Sequence, residues 1–241
     1  MDNRLVPIGL EETFQFACSP GLACFNACCR DLNQFLYPYD ILRLKKTLGL
    51  SSGAFLKRYT YRHIGAESGL PIVSLASADA KRLTCPFVPT AGCRVYSARP
   101  SSCRMYPLVR VICRNRATGE ISERFMLLKE PHCLGSGESK AQTVRQWIKN
   151  QEVESDNLIN DKLMEIISLK RQRLPGPLDL KSRRLFYSAL YDLDNFRNRL
   201  FNNDLLNHFE VDPQKRTAAK TDDTALLEIA IEWVKQMLFK S

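Results

Sequence analysis

Four cysteines lie within twelve residues near the start of the chain, in the segment CSPGLACFNACCR. They are Cys18, Cys24, Cys28 and Cys29. A thiolate is a soft, anionic ligand that suits zinc or an iron–sulfur cluster, and four thiolates held together without a cation would repel one another. The segment therefore predicts one part of a metal site.

A second group of cysteines lies farther along the chain, in CPFVPTAGCRVYSARPSSCRMYP and in EPHCLG. It consists of Cys85, Cys93, Cys103 and Cys133. The gaps between them are too wide for one local zinc knuckle, but the intervening prolines and glycine predict turns that could bring the thiols together. The two groups supply eight candidate ligands, and their spacing does not assign which thiols share an ion.

Two further residues, Cys113 and His132, could be considered as ligands. Cys113 lies in the apolar run VRVIC, and a lone cysteine in a strand is more often a small buried hydrophobic residue than a ligand. His132, next to Cys133, is expected to support the site or to take no part, because eight thiols already suffice for two tetrahedral ions. We therefore exclude both from the predicted ligands.

The basic residues are concentrated in the part of the chain that holds the cysteines. Residues 1–150 contain 21 Lys and Arg against 11 Asp and Glu, whereas residues 151–241 contain 14 against 15. Eight bound thiolates would offset much of this excess, and no recognition module for nucleic acid is visible. Several basic and aromatic side chains near the cysteines are instead expected to support an anionic metal site: Arg30, Arg94, Tyr96, Arg99, Arg104 and Tyr106.

Composition indicates a globular protein without a membrane span. Of the 241 residues, 44% are hydrophobic and 25% charged, and no apolar run reaches the roughly 18–20 residues that a span requires. Residues 1–13 show no apolar signal segment, so we expect a cytoplasmic protein. Structural disulfides are disfavoured in that compartment, and nine cysteines fit a disulfide framework badly.

The remaining patterns predict an α+β fold. We expect a loop-rich, cysteine-containing metal-binding domain with a small antiparallel sheet in residues 1–138 and a helical region packed on it in residues 139–241. The first domain should contain helices at YPYDILRLKKTLG and after Ser51, and strands near Phe14, at 70–78, at 82–88 and between 109 and 130. A capping box at Thr143 and Gln146 opens the helical region, LPGPLD interrupts it, and helices follow at 181–208 and 224–239.

The ordered motifs CFNACCR, YPYDILRLKKTLG, TCPFV, GCRVYSARPSSCRMYP and EPHCLG resemble the bacterial YkgJ-type cysteine-cluster family, described as a zinc- or iron-chelating domain. The resemblance spans residues 14–150 and implies that all eight cysteines of the two groups are ligands. In one respect the chain departs from many members, because five residues separate Cys18 from Cys24. Flagellin lysine N-methylase-like relatives would imply a methyltransferase, but neither a GxGxxG-like loop nor a radical-SAM triad is present.

These observations predict a metal-binding protein of unknown biochemical activity that carries an iron–sulfur cluster or zinc. Two other hypotheses stay open: a cluster-assisted enzyme, such as a protein-lysine methyltransferase or redox protein, and a structural-zinc interaction module or metal carrier. Metal ions are the expected partners, and the other two hypotheses add a protein partner or substrate. Neither nucleic acid nor membrane is expected to bind.

Overall fold

The structure of the protein is a computed structural model that describes residues 4–30, 33–79, 81–89, 91–115, 118–202 and 209–239. The strands are β1 (Leu5–Ile8), β2 (Thr13–Gln15), β3 (Phe35–Leu36), β4 (Thr60–Ile64), β5 (Pro71–Leu75), β6 (Leu108–Arg114), β7 (Ile121–Leu128) and β8 (Ala141–Thr143). The helices are α1 (Pro38–Leu48), α2 (Ser52–Tyr59), α3 (Ser101–Met105), α4 (Val144–Asn150), α5 (Glu154–Arg173), α6 (Leu180–Leu190), α7 (Leu193–Asn202), α8 (Pro213–Ala218) and α9 (Asp223–Phe239). The predicted α+β fold class is confirmed.

The chain divides into two compact units that each contain two stretches of sequence. The first unit comprises residues 1–32 and 77–157, and the second comprises residues 33–76 and 158–241. Eight of the nine cysteines were predicted as ligands, and all nine belong to the first unit. The predicted domain boundary between residues 138 and 139 remains a prediction.

The first unit is built around two small antiparallel sheets of short strands. A three-stranded sheet has the order β1-β7-β6, and a two-stranded ribbon joins β2 to β8. In the ribbon Phe14 lies opposite Gln142. The first cysteine segment, which follows β2, therefore begins beside the residues that join Cys133 to β8. The core residues are Phe14, Phe16, Met105, Leu108, Phe125, Val144, Ile148 and Val153.

Trp147 fixes one edge of this core. Its ring meets those of Phe14 and Phe16 edge to face, with centroids 6.0 and 5.5 Å away. Its indole N–H donates to the Met105 carbonyl oxygen at 3.0 Å, which satisfies the one polar group of the side chain. The predicted capping box is also present, since the Thr143 hydroxyl accepts from the Gln146 amide at 3.1 Å. These contacts hold the ends of β2 and α3, from which the cysteine loops extend.

The second unit combines a three-stranded sheet, in the order β3-β5-β4, with helices. Helix α1 begins after Tyr37, whose amide donates to the Asp40 carboxylate at 2.9 Å, and it ends at Gly49 with φ of 64°. Glycine adopts this left-handed conformation without the steric cost that other residues incur. Helix α2 begins at the Ser51 cap, whose hydroxyl accepts from the Ala54 amide. Both helices match the sequence prediction.

A network of charged side chains ties four helices of the second unit together. The Lys45 ammonium in α1 lies 3.0 Å from the Asp194 carboxylate in α7 and 2.9 Å from the Asp223 carboxylate in α9. Arg197 pairs with both carboxylates, and the Ser52 amide in α2 donates to Asp194 at 2.6 Å. Only 6% of Lys45 is exposed. Loss of one carboxylate would therefore leave a buried ammonium short of partners.

Replacing Asp223 by Asn should lower the free energy of unfolding by about 1.5–3 kcal/mol at pH 7, the usual contribution of hydrogen bonds to charged groups. Burial opposes ionisation of Asp223, but Lys45 and Arg197 outweigh it and lower the carboxyl pKa. Stability from such a group is present above the unfolded pKa and is lost as pH falls through the folded pKa. Denaturant unfolding should therefore show the difference between the variant and the wild type shrinking below about pH 4. An undiminished difference at pH 2 would contradict this explanation.

Most of the other predicted elements are observed, with three corrections. Residues 82–88 form turns and not the predicted strand, because two prolines flank Phe87 and Val88 and the segment bends around Cys85. Cys113 lies on β6 as predicted, but it is exposed and not buried. The helix predicted over 181–208 is split into α6 and α7, and residues 203–208 lie outside the described residues. Strands β1, β3, β4 and β8 and helices α3 and α8 were not predicted.

Among the residues that the structure describes, none of the helices is both long and apolar enough to cross a membrane.

Candidate metal centre

The first cysteine segment follows β2 as a series of turns. It ends in a single 3₁₀ turn, Ala27–Cys29, which begins after Asn26 in the left-handed conformation, with φ of 64°. Asparagine is one of the few residues other than glycine that often adopts this conformation. The turn places the Cys28 and Cys29 sulfur atoms 3.9 Å apart. Adjacent cysteines thus face a common space.

Backbone hydrogen bonds join this segment to the two later cysteine loops. The Cys85 amide donates to the Cys29 carbonyl oxygen at 3.0 Å. The Leu134 amide, immediately after Cys133, donates to the Cys24 sulfur at 3.3 Å. Residues some 60 to 110 positions apart in sequence are therefore neighbours. The first cysteine segment is therefore in contact with both later loops, while the convergence of the second-group thiols on one another stays a prediction.

Burial and neighbouring thiols both raise thiol pKa values in the first cysteine segment. Burial raises the pKa of Cys18, and the nearby Cys28, Cys24 and Cys133 thiols raise it further. A hydrogen bond with Cys29 is the largest cause of a strongly raised pKa at Cys28, followed by burial. Ionisation of one thiol therefore disfavours ionisation of its neighbours, and a cation bound among them would relieve the repulsion between the thiolates.

The same behaviour links Cys28 to the second loop. Burial raises the pKa of Cys85 to about 11, against the opposing effect of a hydrogen bond from the Phe87 amide. Burial also raises the pKa of Cys93, and a hydrogen bond from the Val95 amide opposes it. Cys28 raises the pKa of both thiols. The Cys28 thiol therefore disfavours ionisation of Cys18 and of two thiols in the second loop.

Two arginines place positive charge beside these sulfur atoms. Arg99 lowers the pKa of Cys18 and of Cys93, and Arg94 lowers that of Cys93. Arg99 is held in place by its stacking on the Tyr96 ring, 3.7 Å from the centroid, and by donation to the Tyr96 carbonyl oxygen at 3.0 Å. Arg94 and Arg99 thus lie near candidate ligands, where the sequence analysis expected positive charge to support an anionic metal site.

The Arg104 side chain does not lie where the sequence predicted, beside the thiols of the metal site. It is buried, with 3% exposed, and it pairs with the fully buried Asp156. Its guanidinium therefore belongs to the protein interior and does not supply charge to the thiols directly. Sequence reasoning missed Asp156, because nothing in the local pattern at the start of α5 connects it to a residue 52 positions earlier.

Tyr106 and Glu130 form a polar edge beside Cys133. The Tyr106 hydroxyl donates to the Glu130 carboxylate at 2.8 Å and also contacts the Cys133 thiol. Burial, then Cys133 and Glu130, raise the pKa of Tyr106, so the phenol stays protonated. His132 lies outside this edge, half exposed, with Nε2 3.6 Å from Glu130. Tyr106 is thus a hydrogen-bond partner of a candidate ligand, and the sequence did not identify Glu130.

Gly135 allows the Cys133 loop to approach the first segment. The Ala17 amide donates to the Gly135 carbonyl oxygen at 3.1 Å. A Cβ atom added at Gly135 would lie 2.7 Å from both the Ala17 carbonyl oxygen and the Phe16 ring. Because one of these atoms belongs to the backbone of Ala17, the Cys133 loop would have to move to accept the Cβ atom.

Replacing Gly135 by Ala should therefore lower stability by about 1–3 kcal/mol, the usual cost of overpacking. Thermal unfolding would measure the loss, and the matched control is Gly137→Ala, since a Cβ at Gly137 meets no atom within 4 Å. Equal melting temperatures for the two variants would show that the close approach at Gly135 is unimportant.

The chemistry of the donor set fits a thiophilic metal. All nine cysteines are free thiols, and backbone amides or arginines face several of the eight candidate ligands. Cys103, in α3, is half-buried, whereas Cys113 is exposed on β6 next to Ser122. In the described part of the chain, however, no three His, Cys, Asp or Glu side chains are already arranged to hold an ion.

The comparisons with known proteins agree with the donor chemistry. The family model CxxCxxCC, described as "Putative zinc- or iron-chelating domain", matches residues 17–134. The match begins one residue before Cys18 and ends one residue after Cys133, so it contains every candidate ligand. No curated protein and no solved structure matches the chain.

Proposed function

Because residues 17–134 match the CxxCxxCC model of a zinc- or iron-chelating domain, we propose that the protein binds zinc or an iron–sulfur cluster through eight cysteines. These ligands are Cys18, Cys24, Cys28, Cys29, Cys85, Cys93, Cys103 and Cys133. The observation that carries the proposal is the hydrogen bonding between three distant cysteine loops, since the Cys85 amide donates to the Cys29 carbonyl oxygen at 3.0 Å and the Leu134 amide donates to the Cys24 sulfur at 3.3 Å. The metal-binding domain would be residues 1–138 and the helical region residues 139–241.

The chain's own residues would support bound thiolates in two ways. The amides of Leu134, Phe87 and Val95 donate hydrogen bonds to cysteine sulfur atoms. Arg94 and Arg99 add positive charge without competing as ligands, because guanidinium has no lone pair to donate. Such partners stabilise anionic sulfur and adjust the properties of a bound metal or cluster.

The hydrogen bonds that join the first segment to the Cys85 and Cys133 loops favour one shared site over two independent fingers. Cys28 and Cys29 are adjacent, yet Cys28 interacts both with Cys18 and with the pair Cys85 and Cys93. A local four-cysteine finger would confine such interactions to the first segment. The proposed site therefore has walls from all three loops, and these walls would draw together around the metal.

Titration with Cd²⁺ under reducing conditions tests the proposal, because thiolate binding gives a charge-transfer band in the ultraviolet. We expect a sharp, stoichiometric rise to a plateau. Replacing Cys113 by Ser should leave the plateau unchanged, since that thiol is exposed on β6. A linear, unsaturable response from the wild-type protein would contradict the proposal, and a lower plateau for the Cys113 variant would show that the ligand set is wrong.

A metal carrier is the second candidate function, and one observation favours it over a structural zinc module. Cys18 and Cys28 are exposed, so that a thiol in solution or on a partner protein can reach them. Exposed ligands allow a competing thiol to enter and the ion to leave. A carrier should release bound zinc to a chromogenic chelator within minutes, and release over many hours would favour a structural role.

A further inference from the structure

Arg104 is the one buried arginine next to a candidate ligand in the described part of the chain. It follows Cys103 directly in α3 and is 3% exposed. A guanidinium is seldom buried unless all its N–H groups find acceptors. The acceptors of the Arg104 guanidinium therefore indicate which segments of the chain it holds together.

Those acceptors come from two segments. Nε donates to the Arg99 carbonyl oxygen at 3.2 Å. Nη1 donates to the Gln151 and Glu152 carbonyl oxygens, each at 3.0 Å, and Nη2 donates to the Asp156 carboxylate. One planar group thus fastens the turn before Cys103 to the chain between α4 and α5. A lysine ammonium has three donors and lacks the planar fork that serves four acceptors at once.

The fastened turn carries Arg99 as well as Cys103. The Arg99 side chain donates to the Gln151 side-chain oxygen at 3.2 Å, so its guanidinium is anchored to the same segment as its carbonyl group. That guanidinium acts on the Cys18 and Cys93 thiols. Movement of the turn would therefore displace a candidate ligand and a positive charge together.

We propose that Arg104, held by Asp156, is a positioning residue that sets the 93–103 wall of the metal site. The inference rests on the proposed function and concerns one wall of the proposed metal site. If it holds, loss of the guanidinium weakens metal binding through Cys93 and Cys103 while the thiols of the first segment still bind.

Arg104→Lys tests this inference, because it keeps the charge beside Asp156 but not the donation to three carbonyl groups. The expected result is a loss of Cd²⁺ affinity of about 10–100-fold, the usual effect of removing a residue that orients a ligand. In the Cd²⁺-loaded variant, Cys93 and Cys103 should become open to alkylation while Cys24 and Cys28 stay protected. Mass spectrometry of the alkylated peptides reports each thiol separately.

Asp223→Asn is the matched control, since it weakens a buried ion pair in the second unit, which holds none of the cysteines. It should lower the melting temperature without changing Cd²⁺ affinity or the alkylation pattern. If Arg104→Lys does not fold, Arg104→Met combined with Asp156→Leu removes both buried charges and should show the same selective exposure.

Three outcomes separate the hypotheses. Selective exposure of Cys93 and Cys103 supports the positioning role. Wild-type affinity and uniform protection in the folded variant would overturn it and leave the proposed function intact. A wild-type protein that binds no Cd²⁺ would overturn the proposed function and this inference with it.

Discussion

Replacing both Cys28 and Cys29 by serine should abolish tight metal binding. The two sulfur atoms lie 3.9 Å apart, and Cys28 interacts with thiols of the other loops. Structural zinc sites with four ligands bind with about 10–16 kcal/mol, so the loss of two ligands removes roughly 5 kcal/mol or more, at least three orders of magnitude in affinity. Competition with a chelator of known affinity measures this loss.

The single variants sharpen this expectation. Cys28→Ser should cost more affinity than Cys18→Ser, because the Cys28 sulfur lies 3.9 Å from the Cys29 sulfur in a turn that a backbone hydrogen bond joins to the Cys85 loop. Serine is close to cysteine in size and both thiols are exposed, so the fold should be kept. Full metal content in the Cys28 and Cys29 double variant would show that the first segment is not part of the site.

The second large effect should follow removal of the metal by a strong chelator. A ligand that binds only the folded state at 100 times its dissociation constant adds about 2.7 kcal/mol of stability, so removal should lower the melting temperature by several degrees. The effect should be local. Hydrogen exchange should become faster in the three cysteine loops, residues 18–30, 81–95 and 131–137, because few core side chains hold them.

Helices α1 and α9 supply the internal reference for that experiment. Both belong to the second unit, where the Lys45 ion pairs join them. Their exchange should stay the same with and without metal. An identical melting temperature and exchange pattern before and after chelation would contradict a metal contribution to folding.

Local signals in the sequence were sufficient for the helices and for the longest hairpin. Pro38 and Gly49 bound α1, and the capping box at Thr143 opens α4, because each of these residues acts through its own backbone or its near neighbours. The β6 and β7 hairpin is also visible from its apolar and β-branched residues. In each case the determining interactions span a few positions.

The rest depended on contacts between distant residues. Arg104 looked like a partner for thiolates because it follows Cys103, yet its side chain turns inward to an acceptor 52 positions away. Cys113 has apolar neighbours, but its side of β6 is exposed. The pairing of residues 33–76 with 158–241 in one unit likewise has no local signal. The cysteine types and spacing predicted the chemistry of the site, but not which side chains support it.

Metal analysis of protein purified under anaerobic conditions, together with its visible spectrum, tests the central claim most directly. The proposed function predicts near-stoichiometric zinc in colourless protein, or iron with inorganic sulfide in brown protein, and depletion of either in the Cys28 and Cys29 double variant. The first result would exclude a redox cluster, and the second would exclude a zinc module. Folded protein with nine reduced thiols and no bound zinc or iron would contradict the claim.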